Sequence, residues 1–322
     1  MRAALVKTLD GPDAITIETI APPAMVPHGA IVKVTAAALN FLDTLMVRGK
    51  YQEKPELPFS PAGEFAGVVE AVAPEITHIK PGDRVCGYGT GAAREKVVTD
   101  ARLLIPIPQG VTDEAAAGVT VTYGTAYHGL HDRGQLKAGE TVVVLGASGG
   151  AGLAAVEIAK LMGARVIAVA SSDEKLAACK AAGADVLLNY TTTNLRDGLK
   201  ALAPKGVDVV YDCVGGPHAE PAIRALGWGG RYLVIGFAAG EIPKIALNLL
   251  LLKSSSLVGV FWGAHVRRDL AGHARNMTQI LKWVAEGKLK PHVGMTFPLD
   301  KTADAIRALD QRRSIGKVLI KM

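Results

Sequence analysis

The 322-residue chain reads as an α/β protein in which a doubly wound parallel sheet is inserted into a mostly β domain. Three observations predict this. Eleven of the 17 prolines precede residue 120 and only four fall between 120 and 258, so short, sharply punctuated strands give way to longer regular elements. From about residue 140, apolar strands suited to burial on both faces alternate with helical stretches, the rhythm of βαβ units. The chain then ends in Gly316-Lys317-Val318-Leu319-Ile320, a strand apolar enough to need a sheet, and the β-rich N-terminal section is the simplest partner. Residues 1–120 and 261–322 are therefore expected to form one domain, with 121–260 as the insertion.

The elements follow in order. Met1 to Val6 is strand-like, and Lys80-Pro81-Gly82-Asp83 and Pro106-Ile107-Pro108 are a turn and a tight strand end. Thr112 before Asp113 and Glu114 has the pattern of an N-cap with an acidic first turn, opening a helix into Ala115 to Gly118. Thr141 to Leu145 is a strand, followed by a glycine cluster and a helix from about Leu153 to Met162. Strands are predicted at Arg165 to Ala170, Val186 to Asn189, Val207 to Tyr211 and Arg231 to Ile235. The intervening helices lie near Asp173 to Ala182, Leu195 to Leu202 and Ala219 to Leu226. Helices around Arg275 to Glu286 and Thr302 to Gln311 precede the final strand.

Composition narrows the function. Apolar residues at 49% and charged residues at 20% exclude a disordered or collagen-like chain. The net charge of +6 is scattered, with no basic run of five, which suits an anionic small molecule and gives no reason to expect nucleic acid. Cys86, Cys179 and Cys213 are far apart and form no C-x-x-C pair, so neither a disulfide framework nor a thiolate metal site is expected. Ile245 to Val260 is interrupted by Asn248, Lys253 and three serines, so it reads as a buried segment and not a bilayer span. With no charged-then-apolar leader, a cytoplasmic location is expected.

The chemistry centres on Gly146-Ala147-Ser148-Gly149-Gly150-Ala151-Gly152, placed after a strand and before a helix. Glycines there allow a tight turn, close approach of a pyrophosphate to the backbone and packing of helix on strand, while the helix N-terminus attracts the diphosphate. The next strand ends Ala168-Val169-Ala170-Ser171-Ser172, with Lys175 one turn into the following helix. A site for NADH places a carboxylate at that tip. Hydroxyls and an ammonium suit the 2′-phosphate of NADPH, which is the expected coenzyme. Asp173 and Glu174 are explained by the helix dipole, Ser172 also fits an N-cap, and Lys175 also fits a solvated surface position. Tyr190 either lines the adenosine pocket or is a half-buried edge tyrosine.

The run from Ala38 to Tyr51, with Asn40-Phe41-Leu42-Asp43 and Arg48-Gly49-Lys50-Tyr51, resembles the N-Y/F-x-D…R-G-x-Y signature of quinone oxidoreductases. Pro61-Ala62-Gly63-Glu64-Phe65-Ala66-Gly67-Val68-Val69, Thr122-Tyr123-Gly124-Thr125-Ala126-Tyr127 and the glycine loop extend the likeness over essentially the whole chain. The chain is similar to the zinc-independent, zeta-crystallin-like branch of the medium-chain dehydrogenase/reductase superfamily. This implies a GroES-like β-barrel catalytic domain around an inserted Rossmann domain, NADPH in the cleft between them, and a homodimer paired through the strand near Ser256 to Val260. The resemblance puts Ser148, Gly149, Gly150, Ala151 and Gly152 on the diphosphate and Ser171, Lys175 and Tyr190 at the 2′-phosphate. It puts Val214 and Gly236-Phe237 at the nicotinamide half, with Lys317 near the same cleft. Zinc-dependent relatives have Gly-His-Glu where this chain has Ala62-Gly63-Glu64, and they carry a four-cysteine lobe where Cys86 stands alone before the Gly87-to-Gly91 connection. No metal is therefore expected, and His128 and His131, three apart, read as a solvated face.

Without a Lewis acid to ionise an alcohol, the expected reaction is hydride delivery to an acceptor that is already electrophilic, a quinone foremost. Asn40, Asp43, Tyr51 and Thr125 are the candidate pocket residues. Asn40 and Thr125 would orient a carbonyl or carboxamide and Tyr51 would donate a hydrogen bond or proton. Asp43 either touches substrate or fixes its loop through backbone N–H groups. Two alternatives stand: NADPH-dependent reduction of an activated C=C bond in an enal, enone or enoyl thioester, and an NADPH-binding protein with little turnover.

Overall fold

The computed structural model describes residues 1–89 and 91–322, so Thr90, inside the expected Gly87-to-Gly91 connection, lies outside the described residues. The chain divides into two compact units: Met1–Val121 together with Val266–Met322, and Thr122–His265.

In the first unit the strands Arg2–Val6 and Ile15–Thr19 pair antiparallel. A seven-stranded sheet contains the long strand Gly29–Leu39, flanked by Glu64–Val72 and the C-terminal strand Lys317–Lys321, both antiparallel to it. The last strand also runs parallel to Val293–Pro298. Its apolar residues Val318, Leu319 and Ile320 are fully buried, and burial of that surface is what draws the chain end into the N-terminal sheet. The core around them takes Val32, Val34, Leu39, Phe65, Val85 and Leu104.

The second unit is a six-stranded, all-parallel sheet in the order Val186–Asn189, Arg165–Ala170, Thr141–Leu145, Val207–Asp212, Leu226–Val234, Ser256–Gly259. Strand order reverses between the first and fourth strands of the unit, the switch point at which doubly wound sheets bind ligands. Val142, Val143, Val144, Val166, Ile167, Val209 and Val210 have no exposed surface, as two-sided burial requires. The helix Gly150–Leu161 begins inside the glycine cluster, three residues before its expected start. The helix Leu270–Ala285, in the first unit, begins five residues early because Asp269 caps it, its Oδ1 accepting from Gly272 N at 2.7 Å. The strand expected at Arg231 to Ile235 starts five residues earlier and ends one residue sooner, as Leu226–Val234, and its glycine-rich start is held by pairing with Val207. No helix among the described residues is long and apolar enough to cross a membrane.

Candidate active site

Asn40, Asp43 and Lys317 are brought together in the first unit, around a residue not among the candidates: Glu64. Glu64 has no exposed surface and the Lys317 side chain is 3% exposed, yet both are chargeable. Lys317 Nζ donates to Glu64 Oε1 at 2.6 Å, Asn40 Oδ1 at 2.7 Å and Leu39 O at 3.0 Å. Those are all three donors of an ammonium. Lys317, expected beside the coenzyme cleft, is therefore a buried counter-ion with no donor left for a ligand. Glu64 also accepts from Asn40 Nδ2 at 2.8 Å and from the backbone N–H of Val121 at 2.6 Å. Asn40 thus has its amide oxygen and nitrogen engaged inside the protein.

Asp43 lies in the helix Phe41–Met46 and is buried. Its Oδ2 accepts from Asn40 N at 2.7 Å and its Oδ1 from Ala62 N at 2.9 Å. The second bond holds Ala62 at φ 69, a left-handed conformation that costs a non-glycine residue roughly 1–2 kcal/mol. Burial pushes the Asp43 carboxyl up to about 6, against the opposing pull of those two N–H groups and of Lys317. Of the two roles left open for Asp43, this geometry displays loop fixing.

Tyr51 follows the same helix and is half-buried, with Glu53 two residues on and paired to Arg267. Burial, then the Glu53 charge, raise the phenol above its ordinary value, so it stays protonated at neutral pH. Burial pushes the Cys86 thiol up to about 12, which leaves it a thiol and not the thiolate that binds metal. Thr125 is half-buried on the helix Thr120–Tyr127 and belongs to the second unit.

In the second unit, Gly149 is the N-cap of Gly150–Leu161, and Gly150, Ala151 and Gly152 form the turn whose N–H groups lack intrahelical acceptors. A Cβ on Gly152 would lie 2.2 Å from Gly146 O and 2.6 Å from Ala147 Cα, so only glycine permits this approach of helix to strand. Ser148 is buried in the same turn. Buried Asp212 organises the neighbouring loop: its Oδ1 accepts from Val214 N at 2.6 Å and Gly215 N at 3.0 Å. Its backbone oxygen accepts from Gly236 N at 3.2 Å, and Ala239 N donates to Val214 O at 2.8 Å. The loops carrying Val214 and Gly236-Phe237 are thereby tied to each other. Val214 also abuts the glycine turn, since a Cβ on Gly146 would lie 2.8 Å from its Cγ2.

At the end of the second parallel strand, Lys175 Nζ donates to Ser171 Oγ at 3.1 Å, and Ser172 Oγ caps the helix from Lys175 N at 3.3 Å. Among the described residues no carboxylate pairs with Lys175. Asp173 Oδ1 instead accepts from Asn189 Nδ2 at 3.0 Å. Tyr190 packs against His218 with ring centroids 4.7 Å apart. A glycine-lined turn at a helix N-terminus, with an ammonium and hydroxyl one strand away, fits a dinucleotide bearing an extra phosphate.

Sequence reasoning missed Glu64 as the hub of the buried network. The available signal was a carboxylate and an ammonium each directly preceding an apolar run, Phe65 to Val69 after Glu64 and Val318 to Ile320 after Lys317.

Comparison with known proteins identifies the family and the fold. Residues 26–109 match the family described as alcohol dehydrogenase GroES-like domain, and residues 150–285 that described as zinc-binding dehydrogenase. The chain is 40% identical to a quinone oxidoreductase-like protein 2 of Mus musculus, over 100% of this chain and 92% of that protein. Among solved structures, quinone oxidoreductase of Pseudomonas syringae superposes with a TM-score of 0.93 at 30% identity, covering 100% of this chain and 99% of that one. Quinone oxidoreductase of Thermus thermophilus, solved also in complex with NADPH, superposes with a TM-score of 0.87 at 33% identity, covering 100% of both chains.

Proposed function

The chain belongs to the quinone oxidoreductase branch of the medium-chain dehydrogenase/reductase superfamily, and on that premise we propose that it is an NADPH-dependent oxidoreductase reducing quinones. The observation that carries the coenzyme choice is the corner at Ser171 and Lys175, where an ammonium without a carboxylate partner meets a hydroxyl. The N–H groups at Gly150, Ala151 and Gly152 hold the diphosphate, Lys175 and Ser171 the 2′-phosphate, and the tied loops at Val214 and Gly236-Phe237 border the nicotinamide half.

Bound NADPH supplies a hydride equivalent, two electrons with one proton, and the quinone takes a second proton to leave as hydroquinone. The chain's own residues orient and stabilise. Tyr51, kept protonated, donates a hydrogen bond to the oxygen on which charge develops, and Thr125 orients the acceptor or the carboxamide. Asn40 and Asp43 act as positioning residues, because their polar atoms are committed to Glu64, Lys317 and the backbone.

The protonated Tyr51 also favours a second reading, reduction of an activated C=C bond, where it would supply the proton that follows hydride. A panel of benzoquinone, naphthoquinone and a crotonyl thioester, followed by loss of NADPH absorbance, separates the two. Faster quinone turnover supports the proposal and faster thioester turnover replaces it. NADPH binding without turnover on any acceptor returns the protein to a binding role. We also propose a homodimer through the sheet edge Ser256–Gly259, a strand that among the described residues is paired on one side only, beside exposed Trp228, Leu251, Leu252 and Leu257.

A further inference from the structure

The helix Thr120–Tyr127 does not end in an ordinary cap. It continues as a π-helical stretch, His128–Arg133, a rare geometry that recurs at functional sites. The stretch gathers two imidazoles on one carboxylate: His128 Nδ1 lies 2.8 Å from Asp132 Oδ2, and His131 Nδ1 lies 2.8 Å from Asp132 Oδ1. A third imidazole arrives from the far end of the same unit. His265, on the helix Trp262–Arg268, stacks on His128 with ring centroids 3.9 Å apart and planes inclined by 11°. One ligand atom each from His128, Asp132 and His265 lie within 4.8 Å of one another.

We propose that His128, Asp132 and His265 form a binding site for a divalent ion of the zinc class, with His131 steadying the carboxylate. Two imidazole nitrogens and one carboxylate oxygen suit Zn²⁺, Co²⁺ or Cu²⁺ far better than Ca²⁺ or Mg²⁺, which demand more oxygen ligands. Ligand atoms around a tetrahedral zinc-sized ion sit about 3.4 Å apart. Closing the present spread takes side-chain rotation of half-buried His265 and exposed Asp132 around buried His128. Three protein ligands leave a position for water, so the ion exchanges with solution. His131 holds the second oxygen of Asp132, the kind of outer contact that orients a metal-binding carboxylate. The sequence spacing of His128 and His131 gives no hint of this, because the completing residue His265 is remote in the chain. The site is independent of the coenzyme and of the proposed reaction. A bound ion would instead link the two ends of the chain within Thr122–His265 and stabilise that unit in proportion to ion occupancy.

The test uses the full-length chain stripped with chelator. Co²⁺ is titrated while its visible d–d bands are recorded, and Zn²⁺ is followed by equilibrium dialysis and thermal melting. The expected result is one equivalent bound, Co²⁺ bands of a low-coordinate N/O site, and a Tm raised by Zn²⁺. Asp132→Asn and His265→Gln, at side chains outside the core, each weaken binding by more than tenfold and abolish the Tm rise. His131→Ala weakens binding by about tenfold. Failure of the unsubstituted protein to reach one equivalent overturns the proposal, as does binding undiminished in His265→Gln.

Discussion

At Asp43 a single carboxyl records the conflict between burial and charge. Its ordinary value of 3.8 is pushed up to about 6 because burial outweighs the two backbone N–H bonds and Lys317. The folded protein therefore binds the proton more tightly than the unfolded chain. The stability this contributes is full below about pH 4 and is lost as pH rises through 6, a change of roughly 3 kcal/mol. Thermal melts across that range should show Asp43→Asn less stable throughout, since its NH₂ faces backbone donors, with a smaller decline in Tm from acid to neutral pH than the unsubstituted protein. The Glu64–Lys317 pair makes the opposite kind of statement. Lys317→Met strands a buried carboxylate and should cost about 3–5 kcal/mol in denaturant unfolding. Adding Glu64→Gln should restore most of that loss, because the penalty lies in the unpaired charge.

Elements decide which coenzyme fits. The glycine turn admits the helix Gly150–Leu161 only because Gly152 has no side chain, and Gly152→Val should abolish NADPH binding in titration calorimetry while far-UV dichroism stays near normal. Lys175→Ala removes a charge-assisted contact worth about 1.5–3 kcal/mol, so NADPH affinity should fall tenfold to a hundredfold with NADH affinity unchanged. Equal losses for both coenzymes would refute the 2′-phosphate assignment. Two of the starts that were hardest to read, that of the helix Gly150–Leu161 and that of the strand Leu226–Val234, share a reason. Gly150 to Gly152 and Gly227 to Gly230 carry weak intrinsic preference, so neighbours that approach them closely, Gly146 and Val207, extend helix and strand into them.

For the whole molecule, the proposed dimer is the expectation most exposed to experiment. Sedimentation at micromolar concentration should give twice the monomer mass, and Leu257→Lys on the edge strand Ser256–Gly259 should shift the species to monomer. A monomer in the unsubstituted protein would remove the proposal.

The alternation of apolar strands with helices, the proline-rich opening and the apolar chain end were enough, by themselves, to determine two units and the insertion of one into the other. These are local patterns, and each reports which face of a segment must avoid water. The glycine turn and the hydroxyl–ammonium corner were equally readable, because their chemistry sits within a few consecutive residues. Only the tertiary structure decided that Lys317 pairs with Glu64, that Asn40 bridges the two, and that His265 stands on His128. Those partners are up to 277 residues apart, and pairing at such range depends on sheet register and packing, which no local spacing encodes.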